Sequence, residues 1–314
     1  MPTALVTGVA GFIGSTLADA LLDRGYDVVG IDNFETGRRE NLDRLRPRDS
    51  FTFSETDIRS RDEVPTVMDG VEYVFHQAAV PSVPRSVEDP VTSTDGNCTG
   101  TAVVLDAARK ADVDTAVVAS SSSVYGSSEE LPKVETMESA PESPYALSKY
   151  YTEQLALQCS DLYDIDTVAL RYFNVFGPYQ DPEGEYAAVI PKFIGLMLAG
   201  DRPVIYGDGE QSRDFTYIEN VIQANVLAAE GDVTGETFNV ACGNRITVNE
   251  LVETLNRKLG TDFDPIYDDP RPGDVRHSAA DISKARELLG YDPEVSFEEG
   301  IERTIAAFEQ RHAN

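Results

Sequence analysis

The sequence predicts an α/β protein in which a doubly wound parallel sheet is followed by a smaller α/β C-terminal domain. In the first half, short apolar runs alternate with amphipathic stretches, which is the order of strand–helix–strand units. After Arg171 this pattern loosens, and segments rich in Gly, Pro and Asp mark long loops. We therefore place the first domain at residues 1–175, with part of 214–242 returning to its sheet, and the second domain mainly at 176–314.

Short apolar runs bounded by turn residues define the strands of the main sheet. They are predicted at 4–6, 27–31, 51–53, 71–75, 115–119 and 167–170. Helices are predicted at 13–24, 97–109, 145–162, 190–199, 249–259 and 297–308. The first helix has the expected amphipathic spacing, because Leu17, Ala20 and Leu21 recur on one face.

The composition is strongly acidic, with 55 Asp and Glu residues against 26 Lys and Arg residues and a formal net charge of −29. Such a surface repels itself in dilute buffer, whereas concentrated counterions shorten the Debye length to ~3 Å at 1 M salt. We therefore expect a protein of a halophilic cytoplasm, with an acidic mesophilic enzyme as the alternative. The same charge argues against nucleic acid or an anionic membrane as a partner.

The sequence carries no signal for targeting or for metal binding. No run approaches the ~20 apolar residues that span a bilayer. Met1 leads into the first strand without a basic region, so we expect no signal peptide. Three scattered cysteines fit a reducing cytoplasm, and the three histidines are isolated, so no metal site is expected.

A glycine-rich turn joins the first strand to the first helix. Gly8, Gly11 and Gly14 leave room for a pyrophosphate to approach the backbone, and the start of the helix offers free N–H groups. Asp32, at the end of the second strand, is placed to bind the adenosine ribose, and its charge opposes a 2′-phosphate. Asp57, after the third strand, is a candidate for the adenine pocket, with a simple turn as the alternative. The sequence thus predicts an NAD site.

Tyr145 and Lys149 lie one helical turn apart in the third predicted helix. A phenol with an ordinary pKa near ~10 is a poor base at neutral pH, but an ammonium and a cationic nicotinamide beside it favour the phenolate. Ser121 follows the fifth strand, where a hydroxyl at the carboxyl edge of the sheet can reach a bound substrate. Together with the glycine turn, these residues predict hydride transfer at a carbinol carbon.

The glycine turn, Ser121 and the Tyr145/Lys149 pair resemble the extended short-chain dehydrogenase/reductase superfamily. Longer motifs resemble the nucleotide-sugar 4-epimerases within it, at 171–178, 186–192, 207–215 and 271–278. The resemblance covers essentially the whole chain. It implies a Rossmann domain that binds NAD, a C-terminal domain that binds a UDP-sugar, and a homodimer formed through helices near 97–109 and 145–162.

The resemblance also implies a role for each site residue. Tyr145 takes the proton of the sugar O4 while the C4 hydride passes to NAD⁺, Lys149 lowers the pKa of the tyrosine, and Ser121 supports O4. The 4-keto sugar then turns and receives the hydride on its other face. The expected cofactor-binding residues are Gly8, Gly11, Phe12, Ile13, Gly14, Asp32, Asn33, Phe34, Thr36, Gly37, Asp57, Ile58, Gln77, Ala78, Ala79, Asn97, Tyr145, Lys149 and Tyr172. The expected substrate-binding residues are Ser121, Ser122, Tyr145, Asn174, Ala188, Val189, Tyr206, Arg213, Arg271, Asp274 and Ser278.

Ser278 matches the family position where a tyrosine restricts the pocket to plain hexoses and a small residue admits a 2-acetamido group. UDP-N-acetylglucosamine and UDP-N-acetylgalactosamine are therefore the first expectation. Pro81 stands where the acetyl-preferring enzymes have glycine, so UDP-glucose and UDP-galactose are a close alternative and UDP-glucuronate a third.

Three other functions of the same fold compete with epimerisation. Related 4,6-dehydratases carry an acid pair at the positions of Ser122 and Ser123, and reductases usually take NADPH, which Asp32 disfavours. A non-catalytic NAD-sensing scaffold would be expected to lose one of the catalytic residues, yet all are present.

Overall fold

The computed structural model describes residues 1–182, 187–270 and 275–312, without the side chain of His312. Within these ranges the strands are β1 (Thr3–Thr7), β2 (Asp27–Asp32), β3 (Phe51–Glu55), β4 (Tyr73–His76), β5 (Thr115–Ser121), β6 (Asp166–Tyr172), β7 (Val175–Phe176), β8 (Val204–Tyr206), β9 (Ser212–Arg213), β10 (Thr216–Tyr217), β11 (Glu236–Val240), β12 (Ile246–Thr247) and β13 (Ile266–Asp268).

The α-helices in the same ranges are α1 (Phe12–Asp23), α2 (Val83–Glu88), α3 (Pro90–Thr94), α4 (Gly100–Lys110), α5 (Pro144–Leu162), α6 (Val189–Leu198), α7 (Ile218–Glu230), α8 (Val248–Leu259), α9 (Ser283–Leu289) and α10 (Phe297–His312). Short 3₁₀ turns occupy Arg39–Leu42, Val64–Val67 and Ser122–Tyr125, and a π-helical turn occupies Asp95–Thr99. In the described part of the chain, no helix combines the length and apolar character that crossing a membrane requires.

The main sheet has seven strands, all parallel, in the order β11-β6-β5-β4-β1-β2-β3. The chain runs outward from β1 to β3 and then crosses back to β4, so the winding direction reverses between β1 and β4. Ligands of such sheets bind at this reversal, beyond the carboxyl ends of the strands. The predicted fold class, a doubly wound parallel sheet of the Rossmann type, is confirmed.

Side chains of β1 alternate between two apolar cores on opposite faces of the sheet. Ala4 and Val6 belong to a core that includes Leu17 of α1 and Val221 of α7. Leu5 belongs to a second core on the α4 side of the sheet. Because helices cover both faces, the strands are apolar on both sides and appear in the sequence as continuous hydrophobic runs.

Some elements differ from the sequence-based expectation. The strand expected at 71–75 begins at Tyr73, because the amide of Val71 bonds to the carbonyl of Met68 in a turn. The strand expected at 115–119 extends to Ser121, which ends β5 and does not follow it. The helix expected at 97–109 starts as the π-helical turn before α4.

The second half of the chain contributes to two parts of the fold. It supplies β11 to the edge of the main sheet, beside β6, and α7 packs on the β5 and β6 strands. The other strands of this half form three two-stranded ribbons, β7–β10, β9–β12 and β8–β13. The domain limits at 175 and 176 stay a prediction.

Candidate active site

The glycine-rich turn forms a tight backbone cradle at the carboxyl end of β1. A Cβ on Gly14 would stand 2.2 Å from the carbonyl oxygen of Gly8, and a Cβ on Gly8 would stand 2.7 Å from the Cα of Ala78. Gly8 also has a φ of +68°, which residues with side chains rarely adopt. Gly11 precedes α1 without a side-chain cap, so the amides of the first turn remain available to an anion. This cradle fits a pyrophosphate.

Gly14→Ala is expected to lower the affinity for a dinucleotide by about tenfold, because the new methyl group must displace the Gly8 backbone. Titration with NAD measures the change. Gly25→Ala is the control, because Gly25 has a φ of +85° and no neighbour within 4 Å, so this variant strains only its own turn. Equal NAD affinity of Gly14→Ala and the parent protein would contradict the role of the cradle.

Asp32 is buried at the end of β2, and backbone amides of the glycine-rich turn and of the loop after β2 donate hydrogen bonds to its carboxylate. Its Oδ2 accepts a hydrogen bond from the Ala10 amide at 2.9 Å, and its Oδ1 accepts one from the Phe34 amide at 2.8 Å. Burial raises the pKa of Asp32, and these backbone donors oppose that shift. A Cβ on Gly37 would lie 2.8 Å from Asp32 Oδ1, so glycine lets this loop close over the carboxylate. Each carboxylate oxygen keeps a lone pair for a ribose hydroxyl.

Asp57 is engaged by an arginine that the sequence analysis did not single out. Arg59 donates from Nε to Asp57 Oδ1 at 2.9 Å and from Nη2 to Oδ2 at 2.6 Å, and Asn33 donates to Oδ2 at 2.9 Å. The Arg59 guanidinium holds the pKa of Asp57 well below its usual range. Asp57, Asn33 and Arg59 line one cleft with Thr36 and Ile58. Asp57 therefore contributes to the wall of this cleft as the ion-pair partner of Arg59.

A cavity of about 820 Å³ joins the cradle to Tyr145 and Lys149, two of the three expected catalytic residues. Its lining includes Gly11, Phe12, Ile13, Gln77, Ala78, Ala79, Tyr145, Lys149, Tyr172 and Ala188. Lys149 donates to the carbonyl of Ala119 at 2.9 Å, and burial lowers its pKa to about 8. Burial raises the pKa of Tyr145, and its hydrogen bond with Ser121 opposes that shift. The structure thus brings the three predicted catalytic residues together.

Asn97 lies in the π-helical turn. Both its side-chain oxygen and its side-chain nitrogen make hydrogen bonds within the protein. Its Oδ1 accepts from the Val80 amide at 2.7 Å, and its Nδ2 donates to Ser148 Oγ at 2.8 Å. Ser148 in turn donates to the carbonyl of Tyr145 at 2.8 Å. Asn97 therefore links the loop after β4 to the turn of α5 that carries Tyr145. Turns of this π type are frequent at functional sites.

Glu153 of α5 and Arg171 of β6 form a buried ion pair that the sequence analysis missed. Their side chains are 0% and 4% exposed, and Arg171 donates from Nη2 to Oε1 at 2.6 Å and from Nε to Oε2 at 2.8 Å. Ser120 Oγ donates to the same Glu153 Oε2 at 2.9 Å. Because Ser120 precedes Ser121 and Arg171 precedes Tyr172, this pair ties the site ends of β5 and β6 to α5.

A second cavity, of about 550 Å³, lies in the C-terminal half. Tyr206, expected to bind substrate, lines it together with Gln211, Tyr267 and Arg276, which the sequence analysis did not name as site residues. Gln211 lies in the motif at 207–215 that resembles the nucleotide-sugar 4-epimerases, so the sequence could have indicated it as a site residue. Tyr267 carried no such signal, because it comes to the cavity only through the pairing of β13 with β8.

The other expected substrate residues lie in loops or at the ends of short strands and helices. Asn174 donates to the carbonyl of Asp214 at 3.2 Å, and Arg213 donates to the carbonyl of Ser212 at 2.9 Å. The amide of Ser278 bonds to the Ser212 carbonyl at 3.0 Å. Val189 begins α6, and Ser122 begins the 3₁₀ turn after β5. Arg271 and Asp274 lie outside the described residues.

Comparison with known proteins finds similarity to nucleotide-sugar enzymes over nearly the whole chain. The family described as GDP-mannose 4,6 dehydratase matches residues 5–304. The UDP-glucose 4-epimerase of Mycolicibacterium smegmatis is 40% identical over 309 residues, which cover 98% of each chain.

Two solved structures share the fold. UDP-N-acetylglucosamine 4-epimerase from Methanobrevibacter ruminantium, in complex with UDP-N-acetylmuramic acid, has a TM-score of 0.94 at 40% identity and covers 99% of this chain and 98% of its own. UDP-glucuronic acid 4-epimerase from Bacillus cereus, in complex with UDP-glucuronic acid and NAD, has a TM-score of 0.91 at 33% identity and covers 98% and 99%. The chain therefore belongs to the GDP-mannose 4,6-dehydratase family of extended short-chain dehydrogenases/reductases, whose members include these UDP-sugar 4-epimerases.

Proposed function

We propose that the chain is an NAD-dependent UDP-sugar 4-epimerase. The observation that carries this proposal is that Tyr145 and Lys149 line the same cavity as the glycine cradle, and that Ser121 is hydrogen-bonded to Tyr145. The cradle fits the pyrophosphate of NAD, and Asp32 fits its ribose. The relatives add support, because three 4-epimerases named for different sugars are 33–40% identical to this chain over nearly its whole length, and two of them share its fold in solved structures.

In this proposal, the glycine cradle and Asp32 would hold NAD, and the bound cofactor would supply the acceptor and then the donor for the C4 hydride of the sugar. Tyr145, as phenolate, takes the O4 proton in the first half-reaction and gives it back in the second, while Ser121 hydrogen-bonds O4. Burial alone keeps the pKa of Tyr145 high, so the Lys149 cation and the charge of the oxidised nicotinamide must favour the phenolate. Between the two half-reactions the 4-keto sugar turns its other face to the cofactor. No proton or hydride is gained or lost overall.

The 3₁₀ turn after β5 favours epimerisation over dehydration. Related dehydratases place carboxylic acids there, whereas this chain has Ser122 and Ser123. Ser123 donates to Ser121 Oγ from its amide at 3.2 Å and from its hydroxyl at 3.0 Å. Ser123 thus holds Ser121 in place, and neither Ser122 nor Ser123 supplies a carboxyl group to protonate a leaving C6 hydroxyl.

We propose UDP-N-acetylglucosamine and UDP-N-acetylgalactosamine as the preferred pair, with UDP-glucose and UDP-galactose as a second pair. The small side chain of Ser278 supports the acetamido sugars. Pro81 lines the large cavity and favours the alternative of plain hexoses, because its ring takes space that glycine would leave open. UDP-glucuronate is the third candidate.

Incubation with each UDP-sugar in molar salt, followed by separation of the C4 epimers, tests both activity and preference. Ser278→Tyr is expected to suppress turnover of the acetamido sugar about tenfold more than turnover of the hexose, because the ring fills the space of the acetyl group. Ser283→Tyr, at an exposed position, is the control. Equal losses on both sugars would contradict the role of Ser278, and no epimer from any of the three sugars would contradict the function.

We also propose that the protein forms a homodimer through a face that includes α5. Leu147 and Tyr151 lie one turn apart on α5 and are 57% and 41% exposed, and Val87 and Val91 are exposed on the neighbouring α2 and α3. Exposed apolar side chains on helices that contact one another, as α2 and α3 contact α5, are typical of an interface. The further contribution expected from the helix near 97–109 stays a prediction, as do the cytoplasmic location and the adaptation to salt.

Leu147→Glu is expected to convert the dimer to a monomer, because it places a carboxylate in the centre of this apolar face. Light scattering in molar salt measures the mass. Leu288→Glu, at an exposed position of α9, should leave the dimer intact. A monomeric parent protein would refute the dimer, and an unchanged mass of Leu147→Glu would refute this face as its interface.

A further inference from the structure

Asn225 is a fully buried amide on α7 that the sequence analysis did not single out. Its Oδ1 accepts a hydrogen bond from Gln77 Nε2 at 3.0 Å, and its Nδ2 donates to the Tyr172 hydroxyl at 2.8 Å. The same hydroxyl lies 3.1 Å from Gln77 Oε1 and 3.0 Å from Asn225 Oδ1. Side chains from the ends of β4 and β6 and from α7 therefore close a ring of hydrogen bonds.

The backbone of α7 fixes the direction of this ring. Asn225 Nδ2 also donates to the carbonyl of Val221 at 2.8 Å, and a carbonyl can only accept. The amino end of Asn225 must therefore point to Val221 and Tyr172, and its oxygen must face Gln77. Gln77 then presents Nε2 to Asn225 and Oε1 to Tyr172.

The ring leaves the Tyr172 hydroxyl able only to accept a hydrogen bond from a ligand. Its hydrogen is taken by Gln77 Oε1 or Asn225 Oδ1, and one lone pair accepts from Asn225 Nδ2. What remains is a lone pair, which can only accept a hydrogen bond. Gln77 and Tyr172 line the large cavity, and Asn225, 0% exposed, supports them from behind.

Tyr172 stands at the reacting end of the cavity. It is the register partner of Ser121 across β5 and β6, and Ser121 is hydrogen-bonded to Tyr145. The donor that NAD carries at its reacting ring is the amino group of the nicotinamide carboxamide. The adenine amino group belongs to the opposite end of the dinucleotide, beyond Asp32.

We propose that Asn225 is a positioning residue, which sets Tyr172 as the hydrogen-bond acceptor for the carboxamide amino group of bound nicotinamide. The inference rests on the proposed binding of NAD. It predicts selectivity between dinucleotides that differ only in this amino group. Without Asn225, the Gln77 amide can turn its Nε2 toward Tyr172, which frees the hydroxyl hydrogen and removes the selectivity.

The test is a competition that measures binding and not turnover. The holoenzyme is equilibrated with equal concentrations of NAD and 3-acetylpyridine adenine dinucleotide, in which a methyl replaces the amino group. Bound dinucleotides are then released by denaturation and quantified. The parent protein is expected to favour NAD about three- to tenfold, the value of one hydrogen bond. Asn225→Leu and Tyr172→Phe are expected to bring this ratio close to one.

Asn220→Leu is the matched control, because Asn220 is a buried amide of the same helix whose Nδ2 bonds to the Val295 carbonyl at 2.8 Å. It should lose stability but keep the preference for NAD. Asn225→Ala serves in place of Asn225→Leu if the larger side chain prevents folding. A ratio near one in the parent protein, or an unchanged preference in the Asn225 variant, would overturn the proposal. Failure to bind either dinucleotide would contradict the proposed NAD site instead.

Discussion

Tyr145→Phe is expected to reduce C4 epimerisation by about 10³-fold while leaving the fold and the bound NAD in place. The substitution removes a single hydroxyl, so the sugar O4 loses its base and Ser121 loses its hydrogen bond with Tyr145 while keeping those with Ser123. The phenyl ring still fills the same space beside Lys149. The rate of epimer formation from each UDP-sugar, together with the circular dichroism spectrum and the dinucleotide content, measures the effect.

Tyr163→Phe is the matched control for this substitution. Tyr163 follows the last residue of α5 and is partly exposed, so loss of its hydroxyl should leave the rate within about twofold. Undiminished epimerisation by a folded Tyr145→Phe variant would exclude Tyr145 as the acid/base.

Glu153→Gln is expected to lower the free energy of unfolding by about 3–5 kcal/mol, because it leaves the Arg171 guanidinium buried without its carboxylate. Urea denaturation in molar salt, followed by circular dichroism, measures the loss. Salt should not mask it, because buried pairs are screened far less than exposed ones. The ends of β5 and β6 should loosen together, so epimerisation is expected to fall as well.

The exposed pair Arg257 and Glu298 is the control, with side chains 59% and 61% exposed and a separation of 3.0 Å. Glu298→Gln should cost no more than about 1 kcal/mol, because water already solvates both charges. The double variant Glu153→Leu/Arg171→Met removes both buried charges and should regain part of the lost stability. If Glu153→Gln lowers the free energy of unfolding no more than Glu298→Gln does, the buried pair does not stabilise the fold as proposed.

The positions of β1 to β6 were predictable because each of these strands is a local signal, whereas β7 to β13 were not predicted as strands. Buried parallel strands such as β5 and β6 are short apolar runs between turns, and this pattern is complete within a few residues of sequence. The glycine cradle was predictable for the same reason, since three glycines at fixed spacing determine one turn. Tyr145 and Lys149 lie one turn apart on one helix, so their proximity also follows from local geometry.

What the sequence did not reveal depends on contacts between distant segments. Asn225 looks like a polar position on an amphipathic helix, and its partner Gln77 is 148 residues away. Glu153 and Arg171 look like solvent-exposed charges until the sheet buries both. The π-helical turn at Asp95–Thr99 has no recognisable composition, and its role is visible only from the bonds that Asn97 makes to Val80 and Ser148. Long-range pairing, and not residue type, decides these features.

The late position of β11 has a consequence for synthesis on the ribosome. Until residue 240 has emerged, a nascent chain holding β1 to β6 presents the open edge of β6, whose Ala169 and Leu170 amides and carbonyls await β11. An unpaired apolar edge of this kind is prone to associate with other chains. A gene truncated after residue 175 would therefore yield an aggregating fragment in place of a self-sufficient nucleotide-binding half.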